Sequence, residues 1–349
     1  MTSPADITLE SAAVRVRCTP AQGFSIASLV DRASGAEALW QRPNHDPAPC
    51  TRVLGPAGVA SEAGFLDVFA GGWFEMFPEV GYTQPGDPTS LLHGEVVRLP
   101  WEVLDAGAQH VEARVACVRR PLTLVRRLTL DGATLRVCER IENTGAEPAP
   151  YTWGHHPCFA RATFAGGRIE LSAASAEVPD PWFDPAHATL APGLFQWPHA
   201  RARKSSDSSA DASSGAPAGA AGDAPPSATV GLAATIDLAA VPVTPDGRHD
   251  HACLTRASNT LRITAPGAGE HGRALRIEVD RERFPHLLLW QNLRAGGGYP
   301  FWGGADTFAL EFSTIPGRST PDALAAGAVS TLQPGETVET AFAVGWEAI

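Results

Sequence analysis

The stretch LTLVRRLTLDGATLRVCERI, residues 122–141, alternates apolar and polar side chains on both sides of an Asp131-Gly132 pair. Alternation with a period of two is typical of a strand that buries one face, and an Asp-Gly pair supplies the positive φ values of a tight turn. The stretch therefore predicts a β-hairpin whose strands run from Leu122 to Leu130 and from Leu135 to Ile141.

The same alternation recurs along the chain, whereas a helical period does not. Further alternating runs are Ala13 to Cys18, Val111 to Val118, Leu261 to Ile263 and Leu275 to Val279. The 34 glycines and 30 prolines interrupt the chain often, and no stretch of about 12 residues has a 3.6-residue apolar period. Without helical crossovers a parallel sheet is disfavoured, so we predict a mainly β protein, a large antiparallel β-sandwich or barrel, of which the sandwich is preferred.

Composition limits the partners that the protein can have. A chain of 349 residues with 44% hydrophobic content can build one large β domain or two ordinary ones. The net charge of -11, without a basic run, argues against nucleic acid as a partner. The six cysteines show no C-x-x-C spacing, so we expect neither disulfides nor a metal site. Residues 1–6 lack a signal-peptide pattern and no run is long enough to span a membrane, so we predict a soluble cytoplasmic protein.

One segment differs from the rest of the chain in composition. Lys204 to Ala228 consists of Ser, Ala, Gly, Pro and Asp without a large apolar residue. Such a segment cannot bury enough surface to offset its ordering entropy, so residues 204–228 are predicted to be a disordered insertion. The preferred organisation is a single domain over residues 1–349, because strand-like segments of the same character follow the insertion. A linker between two domains is the alternative.

Three short motifs, far apart in the chain, carry groups that can transfer protons. They are Leu92-His93-Gly94, Gly154-His155-His156-Pro157 and Leu310-Glu311-Phe312. Each motif lies in a stretch that reads as a strand or a strand end, so one curved sheet could direct the side chains into a common cleft. Alternation directs His155 to the face opposite His156 and Glu311 away from its apolar neighbours. The competing interpretation is structural histidines and a solvent-facing glutamate.

These motifs, with their neighbours, resemble those of a known superfamily. The run GGWFEMFPEVG at 71–81 is followed by His93-Gly94 and Trp101, then by HPCF at 156–159 and FALE at 308–311. The order resembles the aldose 1-epimerase (galactose mutarotase-like) superfamily over about residues 10 to 345. Within it, the pattern is similar to the branch of hexose-phosphate mutarotases and uncharacterised aldose-epimerase-like proteins.

The resemblance implies a fold, an activity and roles for three residues. The fold would be the galactose mutarotase-like supersandwich, and the activity a cofactor-independent isomerase that interconverts the α and β anomers of an aldose. Glu311 would be the base on the anomeric hydroxyl, His156 the acid at the ring oxygen, and His93 a second donor to that oxygen. Ring opening needs such a base and acid, and each contributes roughly 10² to 10⁴ in rate.

The sugar contacts are predicted from looser similarities. Asp250-His251 resembles the D-H-x-F segment that binds substrate in the superfamily, and Gln291 falls where a further sugar contact is expected. The run His249-Asp250-His251 also suggests a metal site, but adjacent residues on a strand diverge and no third ligand is apparent, so a turn or loop is expected there.

Tryptophans are a second source of predicted sugar contacts, because sugar rings stack on indole faces. Trp73 and Trp302 lie beside glycines near the motifs, and we predict that they are exposed and bind substrate.

Two departures from the superfamily leave the substrate open. Sugar-phosphate members place an arginine four residues after the motif histidine, where this chain has Val97, and Arg98 comes one residue later. A one-residue shift reverses the face in a strand, which disfavours a phosphorylated substrate unless a bulge restores the geometry. The G-R-Y-x-N-R-I segment of the simpler galactose mutarotases is missing, so their specificity for galactose or glucose is not implied.

Three functions fit these features. The first is an aldose 1-epimerase-like enzyme that acts on a free aldose or sugar derivative. The second is a non-catalytic carbohydrate-binding or sensing protein on the same fold. The third is another acid/base reaction, such as lyase chemistry on a uronic acid. The expected partner is a small-molecule carbohydrate, and the protein is expected to be a monomer or homodimer.

Overall fold

A computed structural model of the chain describes residues 5–44, 46, 49–83, 86–180, 184–204, 234–316, 320–325 and 327–349. Strands dominate these residues, and the three α-helices are short. The helices are α1 Ser61–Val68, α2 Arg161–Phe164 and α3 Thr320–Ala325. In chain order the strands are β1 Ile7–Glu10, β2 Val14–Thr19, β3 Ser25–Asp31, β4 Trp73–Met76, β5 Glu102–Ala106, β6 His110–Ala116, β7 Leu122–Asp131, β8 Thr134–Asn143, β9 Ala149–Tyr151, β10 Gly154–Ala160, β11 Ile169–Glu170, β12 Ser175–Val178, β13 Gly193–Phe195, β14 His199–Arg201, β15 Thr235–Asp237, β16 His249–Thr255, β17 Thr260–Ala265, β18 Arg273–Glu278, β19 His286–Leu293, β20 Asp306–Ser313, β21 Ser330–Leu332 and β22 Thr337–Ala348.

Two large antiparallel sheets make up most of the described structure. The ten-stranded sheet has the order β1-β2-β3-β4-β10-β20-β19-β16-β12-β13, and the eight-stranded sheet has the order β11-β17-β18-β22-β8-β7-β6-β5. Two-stranded pairs, β14-β15 and β21-β9, complete the strands of this part of the chain. The predicted mainly β, antiparallel sandwich is confirmed, and α1, the longest helix described, has eight residues.

The hairpin over residues 122–141 forms as predicted. β7 and β8 pair in register from Leu122 opposite Asn143 to Asp131 opposite Thr134. Asp131 is the last residue of its strand, and Gly132 in the turn adopts φ 57°. Gly132 therefore supplies the positive φ, while Asp131 belongs to the ladder rather than to the turn.

The two sheets bury a large apolar core between them, and Trp73 lies in it. The Trp73 indole of β4 stacks on Phe342 of β22, with ring centroids 5.3 Å apart and planes inclined by 14°. Trp73 is 1% exposed, so the prediction of an exposed, sugar-binding Trp73 is wrong. The reason is strand alternation, which turns Phe74 to the outer face of the ten-stranded sheet and Trp73 to the inner face.

Charged side chains also link the inner faces of the two sheets. The Arg126 guanidinium of β7 donates to Glu75 of β4 and, over 2.6 Å, to Glu139 of β8. The Trp153 indole donates to Glu75, and the Nε2 atom of His155 lies 3.1 Å from a Glu139 oxygen. His155 is fully buried here, on the face opposite His156, as strand alternation predicts.

Domain organisation stays a prediction. Residues 205–228 of the low-complexity segment lie outside the described residues, so neither the single-domain arrangement nor the linker alternative is tested. No helix within the described ranges is long and apolar enough to cross a membrane.

Candidate active site

A pocket lies on the outer face of the ten-stranded sheet, over the strands β10, β20, β19 and β16. Its cavity measures about 130 Å³. The helix α1 and the segment around Phe301 contribute its apolar walls, and the sheet contributes most of its polar groups. The polar lining residues are Glu62, Tyr82, His93, His156, His249, His251, Glu311 and Ser313.

His156 and Glu311 are neighbours on adjacent strands of this sheet. β10 and β20 pair with Gly154 opposite Ser313 and Cys158 opposite Ala309, which places His156 directly across from Glu311. Both side chains point to the pocket, and Nε2 of His156 lies 3.2 Å from Oε1 of Glu311. The fold thus brings together two predicted catalytic residues that are 155 positions apart, taken as 311 minus 156.

The surroundings of His156 hold its ring in place. On the side away from Glu311, the Phe74 ring stacks on the imidazole with centroids 4.6 Å apart. Along its own strand, the Cys158 thiol lies 3.3 Å from Nδ1 of His156. These contacts fix the ring so that Nε2 faces Glu311 and Nδ1 faces the thiol.

Burial sets the protonation of this pair. Desolvation raises the pKa of Glu311 well above 4.5 and lowers the pKa of His156 to about 3. Both shifts favour uncharged forms, whereas attraction over 3.2 Å favours the ion pair. The uncharged pair and the ion pair differ only in which of the two residues holds one proton. In either form the pair therefore offers one proton and one basic atom.

His93 reaches the same pocket from a turn, not from the strand or strand end that we predicted. Its backbone is left-handed, with φ 58°, and its ring centroid lies 5.6 Å from that of His156. A Cβ at the next residue, Gly94, would lie 2.4 Å from the carbonyl oxygen of Phe77. The His-Gly motif therefore has a local cause, since only glycine fits behind the turn that presents His93.

His93 is neutral in this environment. Burial is the main cause that lowers its pKa well below 6.5, and the charges of His156 and Arg98 act in the same direction. Nδ1 of His93 is buried without a hydrogen-bond partner in the described chain. Because an orphaned buried N–H is rarer than an orphaned acceptor, the proton is assigned to Nε2.

Arg98 lies behind the pocket wall. It belongs to a 3₁₀ turn, Val96–Arg98, and its guanidinium donates to the backbone carbonyls of Ser61 and Leu92 over 2.9 and 3.0 Å. The side chain is 6% exposed and is not among the residues that line the pocket. Residues 96–98 form this turn and not a bulged strand, and Arg98 is not turned into the pocket as a phosphate-binding arginine would be.

Two predicted sugar contacts face away from the pocket. Asp250 and Gln291 are opposite each other in the register of β16 and β19, on the face opposite His251 and Trp290. The Asp250 carboxylate accepts hydrogen bonds from the backbone and hydroxyl of Thr189 over 2.8 and 2.5 Å. Strand alternation is the physical reason, and the predicted roles of Asp250 and Gln291 in sugar binding are corrected accordingly.

Their strand neighbours line the pocket instead. His249 and His251 lie in β16, not in the expected turn or loop, and both belong to the pocket lining. Trp290 of β19 lines the pocket as well, and its indole donates to Nε2 of His249 over 2.9 Å. The i, i+2 spacing of the two histidines was the sequence signal for a shared face.

His249 is held in one tautomer by its other neighbour. Its Nδ1 lies 2.9 Å from Oδ2 of Asp184, which also lies 2.9 Å from Nδ1 of His187. Nδ1 of His249 is therefore the donor and Nε2 the acceptor, and burial lowers the pKa of His249. This arrangement fixes the Trp290 indole at the pocket edge, where its ring meets that of His156 at 5.5 Å.

Trp302 is exposed, as predicted, with 69% of its surface accessible, but its neighbour Phe301 is the residue that lines the pocket. The sequence reasoning also missed two aromatic side chains of the lining, Phe65 of α1 and Phe69, which directly follows this helix. Helix α1 is too short for a helical period to stand out.

A candidate metal-ligand group lies elsewhere, between the sheets. Ligand atoms of Glu75, Glu139 and His155 lie within 4.8 Å of one another. Arg126 donates to both carboxylates and supplies the positive charge that a metal ion would otherwise bring. We therefore assign this group a structural role.

Comparison with known proteins identifies the fold. No protein-family model matches the chain, and no curated protein matches its sequence. Among solved structures, the Slr1438 protein from Synechocystis sp. PCC 6803 has a TM-score of 0.65 and 17% identity, covering 100% of this chain and 97% of that one. A protein from Escherichia coli K12, provisionally named an aldose 1-epimerase, has a TM-score of 0.60 and 16% identity, covering 99% of each chain.

A galactose mutarotase-like protein from Lactobacillus casei has a TM-score of 0.61 and 16% identity, covering 98% of this chain and 100% of that one. At these identities the likeness concerns the fold. The chain has the galactose mutarotase-like fold, which confirms the fold that the sequence resemblance implied.

Proposed function

We propose that the protein is an aldose 1-epimerase-like isomerase that interconverts the α and β anomers of a free aldose or sugar derivative. The observation that carries the proposal is the pair formed by His156 and Glu311, 3.2 Å apart on the floor of the pocket. The fold agrees with this chemistry, since a galactose mutarotase-like protein is among the solved structures that share it.

Anomer exchange requires two proton transfers, and the pair supplies both partners. In ring opening, Glu311 accepts the proton of the anomeric hydroxyl while His156 donates a proton to the ring oxygen, and the C1–O5 bond breaks. The aldehyde rotates about the C1–C2 bond, and ring closure on the other face returns both protons. Because the pair holds one proton in total, the reverse reaction uses the same two atoms with their roles exchanged.

His93 assists at the ring oxygen. Its Nε2–H is the hydrogen-bond donor that remains when Nδ1 is buried, and its ring lies 5.6 Å from that of His156. A neutral donor steadies the oxygen without competing for the proton that His156 delivers. We expect His93→Ala to slow exchange less than loss of His156 does.

Saturation-transfer NMR of anomer exchange tests the proposal. Sugars from a panel of aldoses are mixed with the protein at pH 7, and the exchange rate is compared with that in buffer. We expect Glu311→Gln to lower the rate by about 10² to 10⁴. The control is Glu177→Gln, an exposed glutamate on β12 of the same sheet, which should leave the rate unchanged. Exchange equal to that in buffer for every sugar refutes the proposal.

A carbohydrate-binding or sensing protein on the same fold is the second candidate. It is favoured by one observation, that Glu311 and His156 are only 4% and 6% exposed, because such burial disfavours the charged forms that proton transfer uses. Calorimetry distinguishes the two, because binding of a sugar without faster anomer exchange supports the second candidate. The small-molecule carbohydrate partner, the cytoplasmic location and the monomer or homodimer state stay predictions from the sequence.

A further inference from the structure

One wall of the pocket is a continuous row of aromatic rings. It begins at His93, whose ring meets Phe65 edge-on with centroids 4.7 Å apart. Phe65 stacks on Phe69 at 5.3 Å, and Phe69 meets Phe301 at 5.9 Å. A substrate with its ring oxygen at His93 therefore meets phenyl rings along the adjoining side, where Phe65 is 3% exposed, whereas the polar residue of α1 in the lining, Glu62, is exposed.

Charge in the pocket disfavours anionic substrates. Glu62 and Glu311 are the carboxylates of the lining, and no lysine or arginine is among its described residues. The Arg98 guanidinium lies 5.9 Å from the centre of the Phe65 ring, is not part of the cavity lining and donates to backbone carbonyls. A phosphate or carboxylate on the sugar would enter without a lysine or arginine partner, beside the Glu62 carboxylate.

Some of the polar groups in the lining are already engaged. The Ser313 hydroxyl donates to the backbone carbonyl of Ile315 over 2.8 Å, and the Trp290 indole donates to His249. A sugar hydroxyl packed against the phenyl faces, out of reach of the exposed Glu62 side chain, would be buried without a partner, which is unfavourable. An apolar substituent in the same place would gain contact area instead.

The position of that substituent follows from the chemistry of a pyranose ring. With O5 at His93 and His156, the next ring atom is C5, which carries C6. Phe65 is the ring in contact with His93, so C6 lies closest to Phe65. We propose, on the basis of the proposed function, that the substrate is a neutral 6-deoxyhexose whose C6 methyl group packs against Phe65.

Matched sugar pairs test the inference on the unmodified protein. The pairs are 6-deoxy-D-galactose with D-galactose, 6-deoxy-D-glucose with D-glucose, 6-deoxy-L-galactose with L-galactose, and 6-deoxy-L-mannose with L-mannose. In the best pair, we expect kcat/KM for anomer exchange to be about tenfold higher for the deoxy sugar, because its partner buries an unpaired hydroxyl. D-Glucose 6-phosphate and D-glucuronate should be the slowest sugars. Equal rates within the best pair, or a faster parent hexose, would overturn the inference.

Binding measurements test the inference independently of the enzyme proposal. If no sugar exchanges faster with protein, the enzyme proposal fails, and the same pairs are compared by dissociation constant and saturation-transfer difference NMR. Tighter binding of the deoxy sugar, with strongest saturation at its methyl group, then supports the inference. Equal or weaker binding overturns it. If exchange occurs but prefers parent hexoses, the inference fails and the enzyme proposal stands.

A wall variant with a matched control adds a residue-level test. Phe65→Gln places an amide where the C6 substituent is expected, so the preference for the deoxy sugar should fall toward unity. Phe65→Leu keeps the wall apolar and should keep the preference, even if both variants lower the overall rate. An identical preference in the Gln and Leu variants contradicts contact between Phe65 and C6.

Discussion

Replacing Arg126 with methionine is expected to destabilise the fold by about 3 to 5 kcal/mol, the usual cost of breaking a buried ion pair. Arg126 is 1% exposed and bonds to Glu75 and Glu139, both fully buried. Burial acts to raise the pKa of Glu139, but the charges and hydrogen bonds of His155 and Arg126 together outweigh it and lower this pKa to about 2. The variant leaves two buried carboxylates without their cation.

Urea denaturation at pH 7 measures the effect, and the matched control is Arg114→Met. Arg114 lies on the neighbouring strand β6 and pairs with Glu102 over 2.7 Å, but both side chains are about half exposed. Exposed pairs contribute about 0 to 1 kcal/mol. The triple variant Arg126→Met with Glu75→Gln and Glu139→Gln should recover part of the loss. Equal losses for Arg126→Met and Arg114→Met would refute the reasoning.

Three further outcomes are expected. Burial raises the pKa of Glu311 in the folded protein well above its unfolded value of 4.5, so the free energy of unfolding falls as the pH rises above 4.5. Glu311→Gln removes this loss and should therefore raise Tm at pH 7 but not below pH 4.5. A Tm difference that is the same at both pH values contradicts this. Cys158→Ala should lower kcat and shift the pH profile of kcat, because it removes the thiol beside Nδ1 of His156. Cys158→Ser should restore both kcat and the profile. Wild-type pH profiles in both variants would argue against a positioning role for the thiol. Trp73→Ala should cost about 3 to 5 kcal/mol in urea unfolding, as a core residue does, whereas Trp302→Ala should cost less than about 0.5 kcal/mol. Similar costs would contradict their placement.

The fold could be predicted from the sequence because its cause is local. Period-two alternation and a turn glycine define the β7-β8 hairpin, whose strands extend beyond the predicted runs by three residues at most. The same alternation correctly separated His155 from His156. Alternation could also have predicted that one of Trp73 and Phe74 is buried between the sheets, since adjacent residues of one strand cannot both face outward.

The pocket walls could not be predicted in this way, because their cause is tertiary. Helix α1 has eight residues, and Phe65 and Phe69 line the pocket through the place of this helix above the sheet. The prediction that Asp250 and Gln291 contact the sugar was wrong for a different reason. Similarity to a D-H-x-F segment directed attention to Asp250, whereas the strand presents its neighbours His249 and His251 to the pocket.

The central claim is that Glu311 and His156 act as one proton-sharing unit, and a double-mutant cycle tests it most directly. The rates of anomer exchange are measured by saturation transfer for the wild type, Glu311→Gln, His156→Asn and the double variant. Each single variant should lose about 10² to 10⁴ in kcat, and the double variant should lose no more than the worse single variant. If the double variant instead loses the product of the two single losses, the residues act independently and the shared-proton mechanism is wrong.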